Sequence, residues 1–327
     1  MPEPAVTISI VTWNSCSTIR GCLESILAQS FSDYEIVVVD NASRDSTCQI
    51  VHSFRDTRLR LIQLEHNAGF CGGHNRAISE SSGTFVLLVN PDVVMDRDYL
   101  VRAVGVMQAD EKIGSVCGLL LQADPGKPTT RIDSAGLVAC VNRTFKLRLH
   151  GILLSETSLV RQEVFGADGA LPLYRRTMMN DISIAEEFFD EMFFAHKEDW
   201  DISWRARLLG WKTIFEPSCI ALHPRLFRPG DLVIRKHMTK EVRYHAVKNQ
   251  LLLLLKNEDL RSGLRSIHRI LPRQFLVFLY AVLFEWSSLR AYGTVLSNLK
   301  GILVRRREIQ ARRTLSPVQF RNLLVRS

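Results

Sequence analysis

Paired cysteines, an apolar amino-terminal stretch and a long uninterrupted hydrophobic run are all missing from these 327 residues. The seven cysteines (Cys16, Cys22, Cys48, Cys71, Cys117, Cys140 and Cys219) are odd in number and contain no Cys-x-x-Cys pair. That pattern argues against a disulfide framework or a zinc site and for reduced thiols. The start, Met1-Pro2-Glu3-Pro4, is neither basic nor followed by an apolar core, so no signal peptide is expected. The longest apolar run, Phe275 to Phe284, stops at Glu285. It falls short of the roughly 18 residues that a spanning helix needs, so none is expected. No Gly-x-Gly-x-x-Gly follows the first apolar stretch, where Trp13-Asn14-Ser15-Cys16-Ser17 stands instead, which excludes a dinucleotide-binding dehydrogenase. A glycine-rich basic loop near the start, which a pyrophosphorylase acting on sugar nucleotides would need, is also missing. Acidic residues are scarce in the last third: residues 225–327 hold 21 Lys+Arg against 6 Asp+Glu, a net +15. Residues 1–224 hold 21 basic and 28 acidic residues, a net −7.

With 46% hydrophobic and 23% charged residues, the composition is that of a folded globular chain and excludes a disordered or fibrous one. The length suits one large α/β domain with a smaller appendage. The first half alternates two periodicities. Val6 to Trp13 reads as a strand, and Ile19, Cys22, Leu23, Ile26 and Leu27 then recur at helical spacing. Glu35 to Asp40 is a short apolar run of the kind buried on both faces of a parallel sheet. A helix is expected over 45–54, a strand over 60–65, a helix over 73–80 and a strand over 84–89. Strands alternating with helices imply βαβ units and a mostly parallel sheet, whose ligands bind beyond the carboxyl ends of its strands. The polar clusters Trp13-Asn14-Ser15, Asp40-Asn41-Ala42-Ser43 and Asn90-Pro91-Asp92 stand at those ends and define one cleft. From Gly114 to Ala185 the pattern is irregular, with turns expected at Asp124-Pro125-Gly126 and Gly166-Ala167-Asp168-Gly169. Residues 188–209 read as helical in their second half, 211–216 as a strand, and the chain beyond Leu226 as leucine- and arginine-rich helix.

Two carboxylates in the cleft have the chemistry for cation or nucleotide binding. Asp92 follows a buried strand and a proline, and hard divalent cations take oxygen ligands. Asp40 closes the neighbouring strand, where it can accept hydrogen bonds from a base or ribose; the plainer role for either residue is to cap a helix. Lys197-Glu198-Asp199-Trp200-Asp201 places three carboxylates within four positions. On a helix Glu198 and Asp201 share a face and Asp199 points elsewhere; the alternative is an acidic helix start that suits the dipole. His223 follows a strand and precedes Pro224, and on its own it reads as a satisfied structural histidine rather than a metal ligand.

These motifs, in this order, resemble those of the family 2 glycosyltransferases of the GT-A fold, over about Val6 to His223. Val-Thr-Trp-Asn at 11–14 resembles the family's opening strand and loop, and Asp40-Asn41-x-Ser43-x-Asp45 its nucleoside-binding element. Asn67-x-Gly69-Phe70-x-x-Gly73-x-Asn75-x-Ala77 resembles the glycine-rich turn and helix beside the nucleotide. Asn90-Pro91-Asp92 takes the place of the D-x-D metal motif, with Asn90 where the first Asp would stand. The resemblance implies a GT-A catalytic domain over 1–225 and an inverting, metal-assisted transfer from a dTDP- or UDP-sugar to a glycan or polyprenyl-linked hydroxyl. It implies donor contacts from Thr12, Trp13, Asn14, Asp40, Asn41, Ser43, Gly69, Phe70, Asn75 and Asn90. It also implies Mg²⁺ or Mn²⁺ on Asp92 and His223, with Asp199 as general base and Glu198 as its immediate rival.

The segment 226–327 joins apolar, aromatic and arginine-rich stretches, the composition of helices that lie in a membrane interface. With no recognisable nucleic-acid module, an anionic lipid surface is the expected partner for the +15 charge. This tail resembles, more loosely, that of rhamnosyltransferase-like family members that act on polyprenyl-linked acceptors. A peripheral place at the inner face of the cell membrane is therefore expected. The alternative is a silent nucleotide-binding subunit of a membrane assembly, and ordinary packing of the tail on the catalytic domain competes with the membrane role.

Overall fold

The computed structural model describes residues 3–123, 130–224 and 238–325. The expected domain boundary at 225/226 and the turn at Asp124-Pro125-Gly126 lie outside them. The first four strands, β1 (Val6–Thr12), β2 (Tyr34–Asp40), β3 (Leu59–Gln63) and β4 (Phe85–Val89), pair in parallel in the order β4-β1-β2-β3. Helices α1 (Ile19–Leu27), α2 (Thr47–Ser53) and α3 (Gly69–Ser79) make the crossovers. A two-residue strand β5 (Val94–Met95) and helix α4 (Tyr99–Ala109) lead into β6 (Ile113–Gln122), which is buried along its whole length. Short strands β7 (Ile132–Ser134), β8 (Leu137–Ala139), β9 (Phe145–Leu147) and β10 (Gln162–Val164) follow, then β11 (Pro172–Arg175) and helix α5 (Arg176–Ile182). Helix α6 (Glu198–Leu208) and the long strand β12 (Lys212–His223) complete this part.

β11 is inserted antiparallel between β4 and β6, and β12 runs parallel to β6 on the far side. The sheet is thus parallel through its first half and mixed through its second. The region 114–185, irregular by pattern, contains two central strands. Gly114, Ser115 and Gly118 hide β6 from a reading based on β-branched residues. Gly118 has a steric reason: a Cβ there would fall 2.2 Å from the Cys219 carbonyl oxygen of β12. Two boundaries also move. Helix α3 begins at Gly69 rather than 73, and β12 runs on from 216 to 223 through a register shift between Phe215 and Ile220.

Strand residues alternate between two cores, as their period of two requires. Phe85, Leu87 and Val89 join Ile8, Ile10, Ile36 and Val38 beneath α1 and α4. Val86 and Leu88 face the other way, into a core shared with α5, α6 and the carboxyl-terminal helices. Those helices are α7 (Lys240–Asn257), α8 (Leu260–Phe284), α9 (Arg290–Ser297), α10 (Leu299–Arg312) and α11 (Pro317–Asn322). Leu252, Leu253, Val295, Ile302, Ile309 and Phe320 are buried in that second core, so much of the tail packs on the catalytic part.

Helix α8 is the exception. Leu264, Leu271, Phe275, Leu276, Leu283 and Phe284 are exposed along it, and Trp286 just beyond it is 74% exposed. It also corrects the expectation of no spanning-length element: Gly263–Phe284 is long and apolar enough to cross a membrane by length and composition, with 11% of the window buried. Counting only contiguous apolar residues misses it, because His268, Arg269 and Arg273 interrupt a stretch whose mean hydropathy is still 1.3.

Candidate active site

Asp40, at the carboxyl end of β2, is buried, and its carboxylate closes the first two loops of the cleft. Oδ1 accepts from Thr12 Oγ1 at 2.8 Å and from Ser43 Oγ at 2.6 Å, and Oδ2 accepts from Ser43 N at 2.8 Å. A carboxylate offers about four acceptor positions, and the Cys48 thiol also reaches this group. Asn14, at φ 52°, donates its backbone N–H to Ser43 Oγ and accepts from Arg44 N through its side chain. Trp13 projects beside it and is 59% exposed. Asp45 holds the same turn: its carboxylate accepts from Cys16 N and from Thr47 N and Oγ1. Burial acts to raise its pKa, but those hydrogen bonds outweigh it and hold the group well below the usual carboxylate range.

The start of α3 is packed without slack. Asn41 donates to the Gly69 carbonyl at 3.0 Å and accepts from Ala68 N at 3.2 Å. Gly69 sits at φ +76°, and a Cβ there would lie 2.6 Å from Phe194. Gly73 lets the helix rest on β1, where a Cβ would meet Val11 at 2.7 Å. Phe70 stacks edge-on against His74 and Phe189. Asn75, expected to face the donor, spends its amide on the backbone of Phe189, donating at 2.9 Å and accepting at 2.9 Å. Both asparagine amides therefore fix the walls of the cleft.

The Asn90-Pro91-Asp92 turn ends β4, where Asn90 N donates to the Ala170 carbonyl at 2.9 Å. Asp92 Oδ1 lies 3.6 Å from His223 Nε2, at the end of β12. On its other side, His223 Nδ1 is 2.9 Å from Asp133 Oδ2 on β7, a carboxylate with no exposed surface. A buried carboxylate on one ring nitrogen fixes the tautomer and leaves the other nitrogen as a ligand, as in many metal-binding histidines. No local pattern in the sequence marks Asp133. It stands in an irregular stretch 90 positions from its partner. Among the described residues no group of three His, Cys, Asp or Glu could hold a metal ion. The donor set is thus one carboxylate and one imidazole, which suits a cation whose remaining ligands are phosphate oxygens and water.

Asp199, in the first turn of α6, accepts from Gly169 N at 3.3 Å and from Trp200 N at 2.8 Å. Gly169 precedes Ala170, the partner of Asn90, so the strap 168–170 ties this carboxylate to the Asn90-Pro91-Asp92 turn. Glu198 points inward and is buried. Burial, then the charges of Asp199, Asp168 and Asp201, push its pKa well above the usual carboxylate range. Asp201 is also buried and accepts from Arg205 Nε at 2.9 Å, Lys256 Nζ at 3.2 Å and Asn257 Nδ2 at 2.7 Å. Of the three carboxylates only Asp199 is partly open; Glu198, though buried, also lies against Gly169 of the strap.

The sequence profile described as Glycosyl transferase family 2 matches residues 7–182, just over half of the chain. The poly-beta-1,6-N-acetyl-D-glucosamine synthase of Staphylococcus aureus (strain COL) is 23% identical over 221 residues, covering 65% of this chain and 48% of that protein. The chain therefore spans about half the length of the curated relatives it matches. Among solved structures, S. aureus TarS 1-349 in complex with UDP-GlcNAc superposes with a TM-score of 0.52 at 17% identity, over 97% of this chain and 90% of that one. The mannosyltransferase PcManGT from Pyrobaculum calidifontis, in complex with GDP-Man and Mn²⁺, gives 0.53 at 17% identity, over 91% and 76%. These likenesses establish the GT-A fold.

Proposed function

The chain belongs to glycosyl transferase family 2, and from that premise we propose that it moves a sugar from a nucleoside-diphosphate donor to a hydroxyl of a glycan or lipid-linked acceptor, with inversion. The observation that carries the reading is the strap 168–170, which holds Asp199 and Asn90-Pro91-Asp92 on one cleft. In the transfer, the acceptor oxygen bonds to the anomeric carbon as the bond to the diphosphate breaks, and Asp199 takes the acceptor proton. Glu198, whose burial disfavours the ionised form that a base needs, is the poorer candidate. Trp13, Asn14 and the Asp40 carboxylate face the nucleoside. Asp92 and His223 would hold a divalent cation, Mg²⁺ or Mn²⁺, which would supply positive charge to offset that on the departing diphosphate. TarS was captured with UDP-GlcNAc, which favours a UDP-sugar. A dTDP-sugar such as a rhamnose donor is the second reading, supported by the composition of the tail.

Residues 1–225 form the catalytic region on this reading, and 226–327 a supporting region whose helix α8 rests on an anionic membrane face. A thermal-shift panel of UDP-, dTDP- and GDP-sugars with and without Mn²⁺ identifies the donor. Asp199→Asn should leave that shift intact and lower turnover by about 10²–10⁴-fold. Asp92→Ala should abolish the Mn²⁺-dependent part of the shift. Wild-type turnover by Asp199→Asn would remove the assignment of the base. Donor binding with no turnover in the wild type would favour a silent nucleotide-binding subunit.

A further inference from the structure

The loop that delivers Asp199 is wound in an unusual way. Phe194, His196 and Lys197 all lie in the left-handed region, at φ 64°, 71° and 67°, although none is glycine. A non-glycine residue persists there only when its surroundings over-determine it. Lys197 is the last residue before α6, so no slack separates this strained loop from the base.

Helix α7 provides the constraint. Asn249 is fully buried, and its Nδ2 lies 3.0, 2.8 and 2.6 Å from the carbonyl oxygens of Phe193, Ala195 and His196. Lys248 Nζ donates to the Met192 carbonyl. In return Lys197 Nζ reaches back to α7, donating to the Ala246 carbonyl and to Gln250 Oε1, each at 2.9 Å. His245 lies flat on Phe194, with ring centroids 5.1 Å apart and planes at 14°. The opposite side of the loop is held by α3, where Cys71 N donates to the Phe194 carbonyl at 3.0 Å. The loop is thus clasped between the helix beside the nucleotide and a helix of the basic tail.

We infer that Asn249 is a positioning residue, whose contacts with three carbonyls of the loop 193–196 fix where Asp199 meets the acceptor proton. The inference rests on Asp199 as the base. Attachment of α7 does not by itself require this polar cluster, because Leu252 and Leu253 of the same helix are buried in the second core. Displacement of a general base by about 1 Å can cost on the order of 10²-fold in rate, so a clasp of this kind acts on turnover rather than on donor affinity.

The test uses the full chain in a double-mutant cycle, Asn249→Ala and Asp199→Asn singly and together. The readouts are UDP release from UDP-GlcNAc with Mn²⁺ (or from the sugar nucleotide the panel selects) and donor affinity by titration. Asn249→Ala should lower kcat by about 10–100-fold with the donor Kd unchanged. In the Asp199→Asn background it should cause no further loss, because the group it positions is already disabled. Losses that multiply in the double variant, or an unchanged kcat beside an inactive Asp199→Asn, would overturn the clasp. Full turnover by Asp199→Asn would instead overturn the base. Should Asn249→Ala fail to fold, Lys197→Met removes the reciprocal hold. The same non-multiplying loss is then expected, and an unchanged kcat there again overturns the clasp.

Discussion

Two buried ionisable side chains set opposite pH limits on this fold. Glu198 has its pKa raised by burial, then by the charges of Asp199, Asp168 and Asp201. The folded chain therefore holds a proton that the unfolded chain releases above about 4.5. Its contribution is complete below that value and declines as pH rises toward the folded pKa. Glu198→Gln, which is neutral at every pH, should thus gain in Tm relative to the wild type between pH 5 and 8, measured by thermal denaturation. It should also keep most of the turnover; parallel Tm curves would show that the carboxyl is ionised in the native state. His74 works in the other direction. Burial lowers its pKa to about 3, with Nδ1 2.7 Å from Ser9 Oγ. Its contribution is complete above about 6.5 and is lost as pH falls toward 3. His74→Gln should therefore flatten the acid limb of stability, and an unchanged limb would assign acid unfolding to the carboxylates.

At the scale of elements, the contact between α6 and α7 is a buried ionic network. Lys256, with no exposed side-chain surface, lies 2.5 Å from Asp190 and 3.2 Å from Asp201, and Asp201 also pairs with Arg205 at 2.9 Å. Removing Lys256 leaves Asp201 with Arg205 and Asp190 with Arg305 at 3.5 Å, one positive charge short, so Lys256→Met should cost up to about 3 kcal/mol by urea unfolding. A loss below about 1 kcal/mol would mean that water reaches the two aspartates. Nothing in the sequence foretold this network, because Lys256 stands 55 positions from Asp201 in a leucine-rich run. The elements that were legible share a local signal. α1 came from helical spacing, β2 from an apolar run buried on both faces and Asp92 from its place after a strand, whereas His223 was marked only by the family resemblance. β6 and the clasp at Asn249 were not legible, because glycines dilute the first and contacts remote in sequence create the second. Asn75 and Asn41 show the converse: an ordered motif names residues of the site without saying whether they touch a ligand or the wall behind it.

The charge asymmetry of the whole molecule gains a direction from the packing. α7, α9, α10 and α11 contribute buried residues to the protein, whereas α8 leaves leucine and phenylalanine side chains open, with Arg265 and Arg269 exposed on the same helix. Interfacial burial of that apolar face, helped by roughly 1 kcal/mol for each nearby arginine, should bind the full chain to vesicles containing anionic lipid. Flotation should weaken as salt rises. Leu276→Glu with Phe284→Glu should abolish it while leaving the melting temperature intact, since both side chains are exposed. No flotation by the wild-type chain would remove the membrane reading and leave the cleft chemistry untouched. Truncation after Asn257 is the poorer experiment, because it also removes Ile302, Ile309 and Phe320 from the second core.

The two largest of the four hydrophobic clusters among the described residues have a consequence for biosynthesis. The first is assembled from residues 6–173 with Cys219 and Ala221, so nearly all of its parts have left the ribosome by mid-chain. The second extends from Cys71 to Phe320 and stays incomplete until the last helices arrive. On the nascent chain, the nucleoside half of the cleft can take shape while the loop bearing Asp199 still waits for α7. Domains form as units in the order in which they are translated. On the proposed function, a chain released early from this gene would carry the donor half of the cleft without the means to place Asp199.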